Sequence, residues 1–259
     1  KEVLAKYIHN QSQRKDKPFI AINCAAIPDQ MLEATLFGYE KGSFTGALAS
    51  YAGKFEQAQE GTLLLDEISE MDINLQAKLL RVLQEKEVER LGGKKVIKLN
   101  VRLIATTNRN FIQYVNEGKF REDLYYRLNV FPLHLLPLSE RREDIIPLAN
   151  YLLSKHSEEM HRLTPKLSKE VQTTLLNYNW PGNVREMDNV LHRALLLQSE
   201  NIIYLQDISI ATDVKQEDKS DVITIEFNQI YEALLKNFGN RKKTSEQLGI
   251  SERTLRYKL

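Results

Sequence analysis

An acidic pair at the end of an apolar run is the feature of this sequence that bears most directly on chemistry. Leu63, Leu64 and Leu65 precede Asp66 and Glu67. Three consecutive leucines predict a buried strand that delivers both carboxylates to its carboxyl end, where open α/β sheets bind ligands. Asp66 can hold Mg²⁺ directly or through water, and Glu67 can orient and deprotonate an attacking water. The pair therefore suits ATP hydrolysis, and a solvated turn is the alternative if the pair is taken alone.

A second apolar run, residues 101–106, also ends in polar side chains. Thr107 and Asn108 follow it directly. Side chains of this kind at the end of a strand can sense a γ-phosphate or position a water.

Two arginines farther along the chain can serve phosphoryl transfer. Arg121 and Arg127 lie in the same polar segment. Guanidinium groups stabilise the charge that develops in phosphoryl transfer, and one supplied by a neighbouring subunit makes hydrolysis depend on assembly. Ion pairing with the adjacent Glu122 and Asp123 is the alternative.

A short segment with two glycines predicts a protruding loop. It consists of Gly42, Ser43, Phe44, Thr45, Gly46 and Ala47. Glycines at both ends allow sharp turns, which place an aromatic ring at the tip. An exposed ring there is a contact surface for a partner, and an ordinary surface turn is the alternative.

The composition excludes several classes of protein. The 259 residues include 36 Lys or Arg and 35 Asp or Glu, and the net charge of +1 does not identify a partner. The single Cys24 excludes an internal disulfide, and no apolar run approaches the roughly 20 residues of a membrane span. We therefore expect a cytoplasmic protein with no membrane partner. The spacing of histidines and the cysteine matches no structural metal site, and we expect His156 and His161 on solvated helix surface.

Apolar periodicity divides the chain into modules. Buried strands are predicted at residues 19–22, 63–65, 101–106 and 130–133. Helical patterns such as the leucines of residues 75–83 lie between them, and this alternation predicts a parallel sheet covered by helices. We predict an α/β subdomain at residues 1–138, an all-helical subdomain at 139–210, a solvated linker at 211–221 and a third module at 222–259.

The third module has the spacing of a helix-turn-helix. Gly249 permits a tight turn between two short helices, and Ser251 can cap the second of them. Residues 239–259 contain six Lys or Arg against two Glu, so this end of the chain is locally basic. The side chains assigned to DNA are Arg241, Lys242, Lys243, Ser251, Arg253, Thr254, Arg256, Tyr257 and Lys258. A small helical dimerisation unit with a solvated basic face is the alternative.

Together these segments resemble the AAA+ ATPase domain of bacterial sigma-54-dependent transcription activators, the enhancer-binding proteins of the NtrC family. The matching segments are residues 22–26, 36–38, 42–47, 61–67, 79–83, 120–128 and 180–186. Residues 37–41 and 121–130 are most similar to the flagellar-gene response regulators of this family. The resemblance implies an α/β fold, with an AAA+ parallel sheet and flanking helices, followed by an all-α lid and a C-terminal Fis-like helix-turn-helix.

The resemblance implies roles around the acidic pair. Asp66 and Glu67 match the Walker B pair, and Asn23 matches the residue that restrains Glu67 until the nucleotide state permits attack. Thr107 and Asn108 resemble sensor I.

Further residues are assigned to the same nucleotide site by the resemblance. Arg121 and Arg127 match candidate arginine fingers, and Arg185 matches the sensor II arginine. The alternative for Arg185 is an ion pair with Glu186 at the start of a helix. Gly61, the first residue of the Walker B segment, is assigned to the nucleotide site with it.

The start of the chain resembles the end of a phosphate-binding loop. The family's glycine-rich loop ends in Gly-Lys-Glu, and this chain begins with Lys1 and Glu2, so Lys1 resembles the Walker A lysine. The resemblance places the loop and a central strand before residue 1. We therefore expect the chain as printed to bind ATP poorly or not at all and to leave two strand edges unpaired in the sheet interior.

The protruding loop resembles the family's sigma-54-contacting loop, here called loop one (residues 42–47). Phe44 and Thr45 correspond to its tip, and Arg90 corresponds to the second pore loop that supports it. The family usually has Ala where this chain has Ser43. This change leaves the Phe-Thr tip intact, so we expect sigma-54 contact to survive.

The resemblance implies a DNA-bound ATPase that forms a ring, a hexamer or heptamer, and uses ATP and Mg²⁺ to move loop one against sigma-54. The implied partners are sigma-54 RNA polymerase, enhancer DNA and further copies of the chain. One alternative is a DNA-binding regulator on an AAA+ scaffold that does not hydrolyse ATP. Another is an AAA+ remodeller of a different substrate. The Phe-Thr tip and the acidic pair argue against the first, and the loop with the helix-turn-helix argues against the second.

Overall fold

The structure of the chain is a computed structural model that describes residues 1–198 and 201–210, together with Lys243 and Ser245. It divides into two compact units, Lys1–Leu135 and Leu136–Leu259. The predicted linker and most of the predicted helix-turn-helix lie outside the described residues. Lys243 and Ser245 are both helical, with Lys243 exposed and Ser245 buried.

The first unit alternates strands and helices, as the sequence predicts. Its helices are α1 (Glu2–Asn10), α2 (Asp29–Phe37), α3 (Lys54–Gln57), α4 (Ile73–Glu85), α5 (Phe111–Asn116) and α6 (Glu122–Leu128). Its strands are β1 (Phe19–Asn23), β2 (Gly38–Tyr39), β3 (Tyr51–Ala52), β4 (Thr62–Asp66), β5 (Glu87–Glu89), β6 (Val96–Lys98) and β7 (Arg102–Ala105). The strands β1, β4 and β7 form a parallel sheet with β4 in the middle.

The central strand is fixed by burial on both faces. Leu63, Leu64 and Leu65 have no exposed surface. The same core receives leucines from α2, α4 and α6. Burying one such side chain contributes about 1.5–3 kcal/mol. The carboxyl end of β4 is therefore held in a defined place.

Helix α1 lies along β4 and runs against its direction. Near the end of the helix, Nδ1 of His9 lies 2.9 Å from Oγ1 of Thr62, at the start of β4, and both side chains are buried. At the other end, Lys1 lies beside Glu67. This arrangement brings the amino end of α1, which favours negative charge, to the carboxyl end of β4.

Two small antiparallel ladders carry the loops of the first unit. Strands β2 and β3 pair on either side of loop one, and β5 pairs with β6 in a hairpin, here called the second hairpin (residues 87–98). A bridge between Tyr39 and Leu91 joins the two ladders. Loop one and the second hairpin therefore share a base.

The prediction of a strand at residues 130–133 is wrong. No strand forms there in the described part of the chain, and Val130, Phe131 and Leu133 are exposed. An apolar run becomes a strand only where a partner edge accepts its hydrogen bonds, and Pro132 also lacks an N–H group. The edge of β7 that faces away from β4 is unpaired in the described part of the chain, so residues 130–133 do not pair with it.

The second unit is helical, as predicted, apart from one short ladder. Its helices are α7 (Ile145–Glu159), α8 (Lys169–Asn177) and α9 (Asn183–Leu197). Strand β8 (Lys166–Leu167) pairs with β9 (Ile202–Ile203) in parallel. The predicted apolar faces of α8 and α9 are buried in one core with Trp180.

The prediction of a solvated His156 is also wrong. Its side chain is buried, its Nε2 lies 2.9 Å from Oδ1 of Asp188, and its ring stacks on that of His192 at 4.5 Å. The residue faces α9 because α7 packs against that helix. His161 lies beyond α7 and is exposed, as expected.

None of the helices described is long and apolar enough to cross a membrane.

Candidate functional site

The acidic pair lies at the carboxyl edge of the parallel sheet, as the sequence predicts. Asp66 ends β4, and its register partner on β1 is Asn23. The hydroxyl of Thr106, just beyond β7, donates a hydrogen bond to Oδ1 of Asp66. The same oxygen of Thr106 accepts from the backbone N–H of Glu67 at 3.4 Å. Thr106 thus orients both members of the pair.

Glu67 has a left-handed backbone conformation, with φ 53° and ψ 47°. This conformation costs a residue with a side chain about 1–2 kcal/mol, and such strain is often found at functional sites. The turn is held by a bond from the N–H of Ile68 to the carbonyl of Thr106 at 2.9 Å. The strained turn redirects the Glu67 side chain from the line of the strand.

Two groups hold the Glu67 carboxylate. Nζ of Lys1 lies 3.1 Å from Oε1, and the backbone N–H of Asn108 donates to Oε2 at 3.0 Å. Three segments that are distant in the sequence therefore meet here: the start of α1, the end of β4 and the end of β7. The sequence resemblance assigned Lys1 and Asn108 to a nucleotide site, and the structure brings both to Glu67.

Asn23 reaches the same edge but contacts a different group. Its Oδ1 accepts a hydrogen bond from the N–H of Ala25 at 2.9 Å and caps the turn of residues 24–26. The structure shows no hydrogen bond between the described side chains of Asn23 and Glu67. The restraining role of Asn23 stays a prediction.

Thr107 contacts the turn that follows Glu67. Its hydroxyl donates to Oγ of Ser69 at 2.7 Å and accepts from the N–H of Arg109 at 3.0 Å. Sequence reasoning missed Ser69 and Thr106 at this edge. The signal for Thr106 was its position, since it is the first polar residue after the apolar part of the β7 run.

Cys24 directly follows Asn23 and is buried within reach of the charges of the acidic pair. Burial first, and then the charges of Asp66 and Glu67, raise the pKa of its thiol to about 12. The thiol is therefore protonated at neutral pH and is not a nucleophile.

Gly61 does not belong to this edge, and its assignment to the nucleotide site is wrong. It precedes β4 at the amino end, and its carbonyl accepts from Nη1 of Arg14 at 2.9 Å. Glycine is needed there for a different reason. A Cβ atom at Gly61 would lie 2.0 Å from the carbonyl oxygen of Pro18. Glu2, by contrast, is the first residue of α1 and is exposed beside Lys1.

The two candidate arginine fingers differ in their contacts. Arg121 forms a paired contact with Asp123, at 3.0 Å from Nε and 2.7 Å from Nη2, which raises its pKa. Nη2 of Arg127 donates to the carbonyl of Leu83 at 2.8 Å. The ion-pair alternative is thus observed for Arg121 within one chain.

Loop one is compact and closed. The N–H of Gly42 donates to the carbonyl of Ala47 at 2.9 Å, and the N–H of Ala47 donates to the carbonyl of Phe44 at 3.1 Å. The predicted exposure of the tip is confirmed, since Phe44 is 47% exposed. Thr45 and Gly46 are exposed as well, whereas Ala47 is buried.

Arg90 links the second hairpin to both sides of loop one. Its guanidinium binds Glu56 of α3 through Nε at 2.8 Å and Nη2 at 2.7 Å, and binds Glu40 through Nη1 at 3.1 Å. This pairing lowers the pKa of Glu56 and raises that of Arg90. Planar two-point pairing of this kind is geometrically specific. Neither acidic partner was identified from the sequence.

Arg185 lies on α9 in the second unit and is exposed. The adjacent Glu186 accepts from the hydroxyl of Tyr178 at 2.7 Å and from the N–H of Gly182 at 2.8 Å. Both carboxylate oxygens of Glu186 are therefore engaged at the start of α9, which weakens the ion-pair alternative for Arg185. The role of Arg185 stays a prediction.

Among the described residues, no group of three or more His, Cys, Asp or Glu side chains is placed to hold a metal ion.

Three family models match consecutive parts of the chain. They are the sigma-54 interaction domain at residues 1–134, the AAA+ ATPase lid domain at residues 139–223 and the bacterial regulatory protein, Fis family, at residues 224–259.

Curated relatives match over the whole chain. The response regulator protein FleR of Pseudomonas aeruginosa is 52% identical, and 62% of its length is covered. The transcriptional regulatory protein FlbD of Caulobacter vibrioides is 47% identical, with 62% of its length covered. The chain thus spans about three fifths of the length of these relatives.

A solved structure also matches over the whole chain. The crystal structure of NtrX from Brucella abortus in complex with ATP superposes with a TM-score of 0.77 at 31% identity, covering all of this chain and 60% of NtrX. Fold, domain order and sequence thus agree, and the chain belongs to the bacterial sigma-54-dependent transcription activators, with an AAA+ domain, its lid and a Fis-type helix-turn-helix.

Proposed function

We propose that the chain is the ATP-hydrolysing and DNA-binding part of a ring-forming activator that remodels the closed complex of sigma-54 RNA polymerase. The convergence of Lys1, Asp66, Glu67 and Asn108 at one sheet edge carries this proposal. In this arrangement Lys1 supplies a cation for phosphate, Asp66 a carboxylate for a metal ion and Glu67 a carboxylate for the attacking water. ATP is bound by the similar NtrX, which supports the same ligand here.

The proposed reaction assigns one role to each side chain of the acidic pair. Glu67 accepts a proton from a water whose oxygen attacks the γ-phosphorus, and the bond to the oxygen bridging the β- and γ-phosphorus atoms breaks to release ADP. In the structure both oxygens of Glu67 are engaged, by Lys1 and by the N–H of Asn108. ATP phosphates would attract Lys1 and free one oxygen for water.

Asp66 is the residue suited to Mg²⁺. A single carboxylate fits this ion in a nucleotide site, because Mg²⁺ is held there by one or two carboxylates together with the phosphates. Thr106 fixes the orientation of Asp66 through its hydroxyl. Bound with ATP, the ion would neutralise charge on the phosphates.

A short physical connection supports the proposed transmission of hydrolysis to loop one. Arg90 ties the base of the loop to Glu56 of α3, and α3 directly precedes β4, which ends in Asp66. A displacement at the acidic pair would reach loop one through β4 and α3. We propose that Phe44 and Thr45 then meet sigma-54, with the remaining loop residues 42–47 and Arg90 supporting them.

The other partners follow from the family and from the basic end of the chain. We propose enhancer DNA as the ligand of the helix-turn-helix residues, of which only Lys243 lies among the described residues. We also propose self-assembly into a cytoplasmic hexamer or heptamer. Flagellar genes are the proposed targets because residues 37–41 and 121–130 resemble the flagellar-gene response regulators of the family.

The test is the ATPase rate per subunit as a function of protein concentration. It should be made on the intact protein, including any residues that precede Lys1. We expect a cooperative rise with concentration, and a loss of about 10²–10⁴-fold in Glu67→Gln, which keeps the size of the side chain but cannot take the proton. Absence of hydrolysis at every concentration, with DNA binding intact, would instead support the non-hydrolysing regulator.

A further inference from the structure

Three aromatic rings form a row that ends at the tip of loop one. The Phe44 ring meets the Tyr39 ring edge-on, with centroids 5.0 Å apart and planes at 63°. The Tyr39 ring also stacks on the Tyr51 ring, with centroids 5.5 Å apart and planes at 21°. These are the favourable geometries for aromatic pairs. Phe44 is thus docked, although its ring remains half exposed.

The row is anchored to helix α3. The hydroxyl of Tyr51 accepts a hydrogen bond from Nε2 of Gln57 at 3.1 Å, and the same amide donates to the carbonyl of Ala52 at 2.7 Å. Tyr51 and Tyr39 also lie opposite each other in the β2–β3 ladder. The pair of Tyr39 and Tyr51, here called the platform, is therefore held in place by the β2–β3 ladder and by α3. Loop one itself is short and contains two glycines.

A second contact joins loop one to the second hairpin. Gly92 of the second hairpin approaches Ser43 so closely that a Cβ atom there would lie 2.7 Å from the Cβ of Ser43. The Ser43 hydroxyl is buried and has no hydrogen-bond partner among the described residues. Loop one is therefore in contact with Tyr39 through Phe44 and with Gly92 through Ser43.

We propose that Tyr39 is a positioning residue that holds Phe44 in a retracted position, and that loop one must leave this platform before Phe44 can give its whole ring to a partner. The proposal rests on the proposed function in taking sigma-54 as that partner. The edge contact competes with partner binding, since a ring docked on Tyr39 cannot be fully buried elsewhere. An aromatic pair of this kind changes such an equilibrium by about two- to tenfold.

The first experiment tests docking without sigma-54. Phe44→Trp places a fluorophore at the loop tip, and the native Trp180 is only 1% exposed, so acrylamide quenches mainly the new indole. We expect stronger quenching when Tyr39→Leu is added, because the ring that docks the tip is removed. We also expect it when Gly92→Ala is added, because the new methyl group collides with Ser43 and displaces the loop. Tyr39→Phe keeps the ring and should leave the quenching unchanged. Equal quenching in all four proteins would overturn the proposal.

The second experiment measures binding of purified sigma-54 without nucleotide. With native Phe44, Tyr39→Leu should bind about two- to tenfold more tightly than the unchanged protein, and Tyr39→Phe should match the unchanged protein. Increased quenching with equal or weaker sigma-54 binding by Tyr39→Leu would overturn the holding role. If no variant binds sigma-54, with or without ATP, the proposed function fails, while the quenching result still decides the docking of Phe44.

Discussion

Glu67 shows how a single residue can carry both strain and chemistry. Its left-handed backbone turns the side chain out of the strand direction, and contacts from Thr106, Lys1 and Asn108 hold it there. A glutamate in an unstrained continuation of β4 would instead place its side chain on the face of the sheet opposite to that of Asp66. The strain is therefore part of the positioning of the proposed base.

Thr106 provides a test of this positioning. Thr106→Val keeps the shape of the side chain but removes the hydroxyl that donates to Asp66 and accepts from the N–H of Glu67. We expect kcat for ATP hydrolysis to fall about tenfold, the effect of losing one hydrogen bond to a charged group. The control is Thr35→Val, which removes a hydroxyl bonded to the carbonyl of Met31 on α2. Equal losses in the two variants would exclude a specific role for Thr106.

The raised pKa of Cys24 predicts that the folded chain loses stability at alkaline pH. Its pKa is raised from 9.0 to about 12 in the folded chain, so the unfolded chain loses this proton first as the pH rises. The contribution to stability is complete below pH 9 and is lost between about pH 9 and 12, with a slope of about 1.4 kcal/mol per pH unit. Urea unfolding at pH 8 and 10 should show a larger loss for the native chain than for Cys24→Ala. Parallel losses would contradict the shift.

At the scale of elements, the junction before β4 depends on one glycine. Gly61→Ala would place a Cβ atom 2.0 Å from the carbonyl oxygen of Pro18, which is backbone and cannot rotate away. We expect a loss of about 2 kcal/mol or more in the free energy of unfolding, measured by urea denaturation. Gly118→Ala is the control, because nothing lies within 4 Å of its Cβ position and only its positive φ adds cost. A milder effect at Gly61 than at Gly118 would show that the start of β4 moves easily.

The link between the second hairpin and α3 can be measured as a coupling energy. A double-mutant cycle of Arg90→Ala and Glu56→Ala should give about 1–3 kcal/mol, because the pair is two-point and largely shielded from water, with 24% and 13% of the side chains exposed. The comparison is the Arg81 and Glu85 pair on α4, with 72% and 50% exposed, for which we expect less than about 0.5 kcal/mol. Similar values for the two pairs would mean that Arg90 does not fasten the hairpin.

The helices and strands also show where hydrophobic periodicity was sufficient to predict secondary structure and where it was not. The leucine run of β4 and the leucine face of α4 were predicted correctly, because burial alone decides them. Residues 130–133 have an equally apolar pattern but form no strand. A strand needs a partner edge, and that requirement depends on the arrangement of other segments.

At the scale of the whole molecule, the arginine contacts bear on assembly. Arg121 is paired with Asp123 in the single chain, and Arg127 with the carbonyl of Leu83. A finger acting on a neighbour would have to exchange such a contact for a phosphate. Since Arg121 is on the surface, this exchange is sterically open.

Mixing two inactive variants tests whether the site is shared between subunits. Glu67→Gln and Arg121→Ala should each lower ATPase activity by at least about 10²-fold. Their mixture should recover part of the native rate, because an intact Glu67 from one subunit can then meet an intact Arg121 from the next. Arg81→Ala, also at an exposed arginine, should be active alone. No recovery of activity on mixing would indicate that Arg121 acts at the nucleotide site of its own chain.

The sequence by itself determined the family, the alternation of strands and helices, and the place of Asp66, Glu67 and loop one. These follow from local patterns, since apolar runs, glycines and acidic pairs act over a few residues. Only the tertiary structure decided that Lys1, Thr106 and Asn108 hold the acidic pair, that Gly61 lies at the opposite end of the strand, and that Tyr39 meets Phe44. These contacts join separate segments and depend on the directions in which the fold turns their side chains, which spacing along the chain does not specify.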